Sequence, residues 1–392
     1  MPDFIALAKS IEKEVKANRR YLHENAEVGD NLPKTTAFIK NKLTEYGCAY
    51  QEICKCGIVA NIGAKGGKTI LIRADTDALP QQEISGESFS CRDGAAHSCG
   101  HDIHTASLLG CAKILKDMEH ELSGNVKLVF QPDEEKIFGA VNMIKAGVME
   151  NPKVDAAFSM HTNFALKAGE FNVLGGTYLP SSDIFKINIS GVGTHSSAPD
   201  KGVDPILAAA KIIDGVQTLT SREIDALTPV ILTFGSVHAG EAANVIPETA
   251  ELCGTIRAFD RDVRNWAKKR FCEMTESIAK TYRADAKVEF TSATPATYND
   301  PIMSEDIFKY LRELFGNEIV FSRNLNVKGS DDFAYYSELV PGVMYHVGMG
   351  TAEEGYTAGL HNPAARFDEG ALVNSVAAFV QIAYCWLAEH GQ

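Results

Sequence analysis

Hydrophobic and polar positions along the first half of the chain follow two different periods. Apolar residues recur at helical spacing over residues 5–24, 33–46 and 103–121, so each of these segments is predicted to be a helix. Short apolar runs typical of strands lie between them, at 57–62, 69–74, 126–130 and 156–160. Because helices and strands alternate, the pattern predicts an α/β fold: a mixed, mostly parallel sheet with helices on both faces.

The pattern changes near residue 183. Residues 184–190 alternate strictly between apolar and polar, which predicts a half-exposed strand. The elements predicted after it are a helix at 203–222, strands at 229–238 and 248–259, a helix at 261–283 and a strand at 287–291. The order β-α-β-β-α-β is typical of a ferredoxin-like α+β domain.

Helix and strand patterns of the first kind return at 303–315, 343–347 and 369–389. We therefore expect two domains. Residues 1–182 and 295–392 would form the larger one, and residues 183–294 would be inserted into it. A length of 392 residues agrees with two domains, because a single hydrophobic core rarely grows so large.

Composition and charge exclude several classes of protein. The chain is 45% hydrophobic and 23% charged, which is ordinary for a globular protein. A formal net charge of -13 argues against nucleic acid or an anionic membrane as a partner. The first residues lack the basic start and apolar run of a signal peptide, and no stretch reaches the roughly 18 apolar residues of a membrane span. With nine cysteines, these features predict a cytoplasmic protein with reduced thiols.

Candidate chemistry appears where polar residues directly follow predicted strands. Asp75 and Asp77 follow the strand at 69–74, Glu134 and Glu135 follow the strand at 126–130 after a short turn, and His161 follows the strand at 156–160. Ligands of open α/β sheets bind outside the carboxyl ends of the strands. These side chains are therefore expected at one common edge.

The segment from His97 to His104 adds a thiol and further imidazoles. Cys99 and His101 stand two residues apart before a predicted helix, a spacing that lets both bind one metal ion. An isolated pair of this kind would more often be a buried thiol beside a capping histidine. Three histidines within eight residues favour the metal instead. Adjacent glutamates are commonly just solvated, but metal-assisted hydrolysis needs both a carboxylate ligand and a carboxylate base.

The chain resembles the metallo-aminoacylase and glutamate-carboxypeptidase superfamily of di-metal enzymes. Within it, the sequence is most similar to hippurate hydrolase, N-acyl-amino-acid amidohydrolases and plant auxin-conjugate hydrolases. The inserted ferredoxin-like domain matches the lid of that family. The segments that carry the resemblance stand in the family's order, at 19–23, 73–80, 97–104, 131–135, 191–199, 244–247, 254–257 and 360–361.

The resemblance implies roles for particular residues of the larger domain. Two divalent cations, of manganese, zinc, cobalt or nickel, would be bound by Cys99, His101, Glu135, His161 and His361. Glu134 would be the general base that activates water and then protonates the leaving amine. Asp77 would orient a ligand histidine, whereas the role of Asp75 stays open.

The resemblance also implies roles for residues of the lid. His195 would reach the active site of a partner subunit and stabilise the tetrahedral oxyanion, which makes a homodimer or higher homo-oligomer the expected assembly. Asn244 and Arg257 would bind a substrate carboxylate. The alternative for Arg257 is a surface salt bridge.

Three positions depart from the family pattern. Ser98 stands where alanine is common, and two serines follow His195 where small apolar residues are usual. Asp331 stands where a glutamate is usual, and this shorter side chain puts a direct role for it in doubt.

We expect a metal-dependent amidohydrolase that cleaves the amide of N-acyl-amino acids or similar small conjugates with a free carboxylate. The closest alternative is a dipeptidase or carboxypeptidase with the same di-metal site and a different pocket. An inactive binding protein that retains the fold is less consistent with an intact set of ligands and base. A structural zinc site is weaker still, because closed sites prefer four Cys or His ligands.

Overall fold

The computed structural model describes residues 2–63 and 66–391. The α-helices, in chain order, are α1 (Phe4–Ser10), α2 (Glu12–Glu24), α3 (Pro33–Glu45), α4 (His101–Asp117), α5 (Gly139–Lys145), α6 (Pro205–Thr218), α7 (Arg261–Thr281), α8 (Pro301–Phe315), α9 (Ala334–Ser337) and α10 (Ala371–His390).

The strands of the first part of the chain are β1 (Tyr50–Ile53), β2 (Gly57–Gly63), β3 (Thr69–Asp75), β4 (Asn125–Gln131), β5 (Ala156–Asn163), β6 (Phe171–Asn172) and β7 (Gly176–Leu179). Those of the remainder are β8 (Ser182–Ser190), β9 (Thr194–His195), β10 (Val230–Ala239), β11 (Val245–Ile246), β12 (Thr249–Ala258), β13 (Asp285–Thr294), β14 (Thr297–Asn299), β15 (Val320–Phe321) and β16 (Gly342–Gly348).

The larger of two compact units consists of Met1–Tyr178, Tyr298–Val327 and Asp331–Gln392. Its eight-stranded sheet has the order β1-β2-β4-β3-β5-β16-β6-β15. The four central strands β4, β3, β5 and β16 run parallel to their neighbours within that group. They therefore end at the same edge, which is where ligands of such sheets bind.

Helices cover both faces of this sheet, as the alternation of β4 shows. Leu128 and Phe130 point into the hydrophobic core that also contains residues of α4 and α10. Gln131 points to the opposite face, where its side chain accepts a hydrogen bond from Tyr336 of α9. Because successive residues of a strand face opposite sides, helices must lie on both sides. The predicted α/β class, a mixed and mostly parallel sheet, is confirmed.

Two predicted helices have different bounds in the structure. The segment 5–24 is divided into α1 and α2 at Ile11, whose backbone leaves the helical region. The segment predicted at 103–121 begins earlier, at His101, because Gly100 adopts a left-handed conformation with φ of 87° and ends the preceding loop there. Its α-helical part stops at Asp117, and a short 3-10 turn covers 119–121.

The smaller unit consists of Leu179–Thr297 and Lys328–Ser330. Its elements follow in the order β8-α6-β10-β12-α7-β13, and the sheet order is β10-β12-β8-β13 with antiparallel neighbours. This is the arrangement of a ferredoxin-like domain. The sequence pattern predicted the boundaries of this domain at residues 183 and 294. It assigned Lys328–Ser330 to the larger domain, because a segment of three residues is too short to show a periodic pattern.

One helix, α10, is long and apolar enough to span a membrane by length and composition. Its apolar window is 78% buried within the fold, as in the core helix of a globular unit.

Candidate functional site

A tight turn before α4 brings Cys99 and His101 together. Gly100 has φ of 87°, and a Cβ at this position would lie 2.7 Å from the Thr162 hydroxyl. Only glycine fits both the backbone conformation and the space. The Thr162 hydroxyl also donates to the carbonyl of Cys99 at 2.9 Å, which ties the turn to the end of β5.

His101 presents one nitrogen to the site. Its Nδ1 lies 2.9 Å from the backbone carbonyl of Asp77, so Nδ1 carries the proton. Its Nε2 is buried and has no hydrogen-bond partner among the described residues. A bare, buried lone pair of this kind is what a metal ion requires.

Asp77 organises the turn that carries the two glutamates. Its carboxylate accepts the backbone N–H groups of Glu134 at 3.1 Å and Glu135 at 3.2 Å. Its backbone carbonyl orients His101 more closely than its carboxylate does, since Oδ1 lies 3.6 Å from Nδ1.

His161 is oriented in the same way as His101. Its Nδ1 lies 2.8 Å from the carbonyl of Thr162, which leaves Nε2 as the acceptor, 3.5 Å from the Cys99 sulfur. Two ring nitrogens and one thiol thus face a common point.

Glu135 and His361 complete the group. The Glu135 Oε1 atom is buried, has no hydrogen-bond partner among the described residues and lies 3.9 Å from the His101 Nε2. Its Oε2 lies 3.5 Å from the Nε2 of His361, whose backbone N–H donates to Ser98. Candidate ligand atoms lie within 4.8 Å of one another in three overlapping groups: Cys99, His101 and His161; Cys99, Glu135 and His361; His101, Glu134 and Glu135. The structure thus brings all five predicted ligands together.

Asp75 and His104 also lie near His101, but their atoms are already engaged. The backbone N–H of Thr162 donates to the Nε2 of His104 at 3.0 Å, so His104 Nδ1 carries the proton and donates to Asp75 at 2.6 Å. Asp75 also accepts a hydrogen bond from Arg73. This pair therefore joins β3 to β5.

Glu134 lies beside the ligands in a cluster of carboxylates. It is buried, and its side-chain oxygen lies within 4.8 Å of carboxylate oxygens of Asp331 and Asp332. Burial, together with the charges of Asp331 and Glu135, raises the pKa of Glu134 well above its ordinary value. Glu134 is therefore a carboxyl group that holds a proton readily.

The sequence did not point to Arg73, which supplies the positive charge under this cluster. Its guanidinium is fully buried and lies 2.6 Å from both Asp75 and Asp332, and 3.2 Å from Asp331. The available signal was an arginine inside an otherwise apolar strand. Asp331 stands where a glutamate is usual in the family. Its carboxylate forms an ion pair with Arg73 and accepts a hydrogen bond from the backbone N–H of Phe333.

The donor set fits divalent cations. Burial raises the pKa of the Cys99 thiol well above its ordinary value and that of Glu135 to about 7, and burial lowers the pKa of His161 to about 4. Nearby divalent charge favours the thiolate and carboxylate forms, and the neutral imidazole is already the ligand form. Sulfur, nitrogen and carboxylate donors together suit zinc, manganese, cobalt or nickel.

In the smaller unit, His195 has a defined tautomer. The backbone N–H of Ser197 points at its Nδ1 at 3.2 Å, and the Ser197 hydroxyl lies 2.7 Å from the same atom. A neutral His195 therefore carries its proton on Nε2 and offers a hydrogen-bond donor from an exposed ring. The second of the two serines noted in the sequence accounts for this orientation.

Asn244 lies next to His195 in the structure, whereas Arg257 lies far from both. Val245 pairs with His195 across β9 and β11, and the Asn244 carbonyl accepts the N–H of Ser196. β12 begins at Thr249, shortly after Asn244 and β11. Arg257 lies eight residues further along β12, a distance of roughly 26 Å at the rise of a strand. Its guanidinium is half-buried, donates to the Ser330 hydroxyl at 2.8 Å, and has a pKa lowered by burial.

Comparison with known proteins agrees with a metal-dependent hydrolase. Residues 71–384 match peptidase family M20/M25/M40. N-acetyl-L-cysteine deacetylase of Bacillus subtilis is 36% identical over 93% of this chain and 86% of its own length. IAA-amino acid hydrolase ILR1-like 2 of Arabidopsis thaliana is 35% identical over 95% of this chain and 84% of its own length.

Among solved structures, the YXEP protein of Bacillus subtilis, a dinuclear metal binding peptidase from the M20 family, superposes with a TM-score of 0.83. It is 32% identical to this chain, and the match covers 97% of this chain and 99% of the other. The fold is that of a hydrolase, and side chains that could hold metal ions cluster at the edge of its sheet. The chain belongs to peptidase family M20/M25/M40, which confirms the family resemblance found in the sequence.

Proposed function

We propose that this protein is an amidohydrolase that uses two divalent cations to cleave the amide of N-acyl-amino acids. The observation that carries the proposal is the convergence of Cys99, His101, Glu135, His161 and His361 beside the buried carboxyl group of Glu134. Ligands alone would serve any metal site. A further buried carboxyl group beside them, able to exchange a proton with water, is what hydrolysis requires.

The two cations would be held by Cys99, His101, Glu135, His161 and His361, with Glu135 close to both His101 and His361. When bound, divalent cations polarise the amide carbonyl and lower the pKa of water.

Glu134 is the proposed general base and general acid. A carboxylate oxygen takes a proton from the attacking water, and the same group then delivers the proton to the leaving nitrogen. Burial and the neighbouring carboxylates raise its pKa, and a carboxylate with a raised pKa is a stronger base toward water, which suits the first step. The backbone N–H of Asp332, 3.4 Å from Glu134 Oε1, helps to fix the side chain.

Arg257 is the proposed binder of the substrate carboxylate. Among the described residues its guanidinium is bonded to the Ser330 hydroxyl and forms no ion pair, although it is half-buried. A guanidinium without a carboxylate of its own is suited to one brought by a ligand.

His195 and Asn244 are proposed to act in the active site of a partner subunit. Both lie at the end of the smaller unit remote from Arg257, so the three residues do not form one group within a single unit. His195 would donate its Nε2–H to the developing oxyanion, and Asn244 would help to bind the substrate. This role requires a homodimer or a higher homo-oligomer.

A dipeptidase or carboxypeptidase activity is the second candidate, favoured by the similarity to a dinuclear metal binding peptidase. The same ligands and base would serve it. A different pocket would then accept a free amino group where the first candidate accepts an acyl chain.

The deciding experiment is a hydrolysis screen of the purified protein with manganese, zinc, cobalt or nickel added. N-acetyl- and N-benzoyl-amino acids are compared with free dipeptides and with the same N-acyl-amino acids amidated at the carboxyl group. We expect release of the amino acid from the N-acyl substrates and little turnover of the amidated controls. Preferential cleavage of dipeptides would favour the second candidate, and turnover of neither class with any metal would refute both.

A further inference from the structure

A second buried histidine, His346, stands beside the ligand His161. The two residues are partners in the parallel pair of β16 and β5, so their side chains lie on the same face of the sheet. Their ring centroids are 6.0 Å apart, and only 3% of the surface of His346 is exposed. None of the catalytic steps above uses this imidazole.

Tyr178 fixes the orientation of the His346 ring through a hydrogen bond to its Nδ1. The hydroxyl of Tyr178 is hydrogen-bonded to the Nδ1 of His346 and lies 3.1 Å from the backbone carbonyl of Asn172. Asn172 pairs with His346 across β6 and β16 and is itself fixed by the N–H of Arg323. The imidazole therefore has little freedom to rotate.

The other nitrogen of His346 remains available. Its Nε2 has no hydrogen-bond partner among the described residues. It is also absent from the fully buried unpaired atoms, so a ligand can reach it. A ring held at Nδ1 and open at Nε2 offers one hydrogen-bonding atom to whatever lies next to His161.

The sheet order shows on which side of His161 this histidine stands. β5, which carries His161, stands between β3 on one side and β16 on the other. An amide placed at Cys99 and His161 extends past His161, away from β3, to reach His346. We place the acyl group of the substrate on this side, and the serine comparison below tests this placement against the amino-acid side chain.

We propose that His346, held by Tyr178, is a specificity residue that hydrogen-bonds a polar atom of the substrate's acyl group. This inference rests on the proposed amidohydrolase function and adds the class of acyl group. Acyl groups with a hydroxyl or amide near the scissile carbonyl are preferred over hydrocarbon chains of the same size.

The test uses two isosteric substrates, N-glycolyl-L-methionine and N-propionyl-L-methionine, which differ by a hydroxyl in place of a methyl. We expect the wild type to have the higher kcat/KM for the glycolyl substrate. His346→Phe should lower the glycolyl-to-propionyl ratio about three- to tenfold, the effect of one hydrogen bond. His346→Gln should restore part of the ratio, and Tyr178→Phe should lower it less than His346→Phe does.

Tyr345→Phe is the matched control. It removes a hydroxyl from the neighbouring position of β16, whose side chain packs in the hydrophobic core on the other face of the sheet, so the ratio should not change. Metal content, measured by elemental analysis, should stay at the wild-type level in every variant.

Three results would overturn the proposal. One is an unchanged ratio in an active His346→Phe variant. Another is loss of metal in step with activity in both His346 variants, which would make His346 a support for His161. The third is a changed ratio between N-acetyl-L-serine and N-acetyl-L-2-aminobutyrate, which would place the residue beside the amino-acid side chain. If the wild type cleaves neither methionine substrate nor any N-acyl-amino acid of the screen above, the proposed function fails. Calorimetric binding of glycolate against propionate to wild type and His346→Phe then decides the role of His346 separately.

Discussion

His101 and His104 stand one helical turn apart in α4 and differ in one hydrogen bond, which determines whether the Nε2 atom is available to a metal. Each ring donates its Nδ1 proton, His101 to a backbone carbonyl and His104 to Asp75. The Nε2 of His104 then accepts a backbone N–H from β5, whereas the Nε2 of His101 has no hydrogen-bond partner among the described residues. Residue type is therefore no guide to which of the two could bind a metal. The partner of the second nitrogen decides it.

Cys99→Ala is expected to lower metal content below that of the wild type, since it removes a thiol that faces His161 at 3.5 Å. Elemental analysis of the purified protein measures the effect. Cys111→Ala is the matched control, because Cys111 is also buried in this region but lies further along α4 and belongs to the core. Equal metal content in the two variants would contradict the ligand role of Cys99.

Glu134→Gln is expected to reduce kcat by about 10²- to 10⁴-fold, the range for loss of general acid–base catalysis. Glutamine has the same shape but cannot exchange a proton, so metal content should stay unchanged. Glu135→Gln provides the comparison, because it alters a carboxylate that faces both His101 and His361 and should lower metal content as well as rate. Near-normal turnover of Glu134→Gln would rule out its role as the base.

At the scale of elements, the start of α4 sets the position of two ligands at once. Gly100→Ala is expected to destabilise the fold by about 1–3 kcal/mol and to lower metal content. The added Cβ would meet Thr162 atoms at 2.7 and 2.8 Å in a backbone conformation that suits glycine. Thermal unfolding and elemental analysis measure the two effects.

Gly94→Ala controls for backbone strain alone. Gly94 also has a positive φ, of 78°, but an added Cβ would meet nothing within 4 Å. Gly94→Ala should therefore cost less stability and leave metal content intact. The contact with Thr162 would lose its importance if both variants bound metal equally.

A buried ion-pair cluster joins α2 to the same turn. Asp102, next to His101, accepts hydrogen bonds from Arg19 at 2.7 Å and His23 at 2.8 Å. Burial works against the protonated form of His23, but the charge of Asp102 outweighs it and raises the pKa of His23 to about 9. A raised folded-state pKa means that His23 stabilises the fold fully below its ordinary pKa of 6.5, and that this stabilisation is lost as the pH rises through 9.

His23→Gln should therefore lower the melting temperature most near pH 6, by an amount equivalent to roughly 3 kcal/mol at most. The difference from the wild type should shrink by pH 9.5. His120→Gln, at a side chain that is 81% exposed, is the control and should cause no such change. A difference that is the same at both pH values would mean that the charge of His23 contributes nothing.

At the scale of the whole molecule, the proposed exchange of His195 between subunits makes a sharp prediction. Glu134→Gln and His195→Ala are each expected to inactivate the protein. In a hybrid dimer, the His195→Ala subunit retains Glu134 and receives His195 from its partner, which restores one site. Dissociating and reassociating an equal mixture should recover roughly a quarter of wild-type activity, because half of the dimers are hybrids with one working site each.

The two variants measured separately and their mixture distinguish the possible results. Each variant alone, taken through the same treatment, should stay inactive. Absence of recovery in a mixture shown by native mass spectrometry to contain hybrids would mean that His195 acts in its own subunit or does not act at all. A monomer in solution would remove the basis for the exchange.

The sequence alone determined the class of fold, because a period of two or of 3.6 residues follows directly from which face of a strand or helix is buried. It also indicated the chemistry, since Glu134 and Glu135 follow β4, His161 stands near the end of β5, and parallel strands end at one edge. The family followed from the same segments and is confirmed by the comparisons.

Only the tertiary structure decided how these residues divide the work. His361 comes from a loop with no periodicity, and it joins Glu135 through a fold contact that no local pattern encodes. In the sequence, Arg73 is one residue of a predicted strand. In the structure, its guanidinium forms ion pairs with Asp75, Asp331 and Asp332. A short-range pattern records burial and local conformation, whereas the partner of a buried polar atom depends on residues far away in the chain.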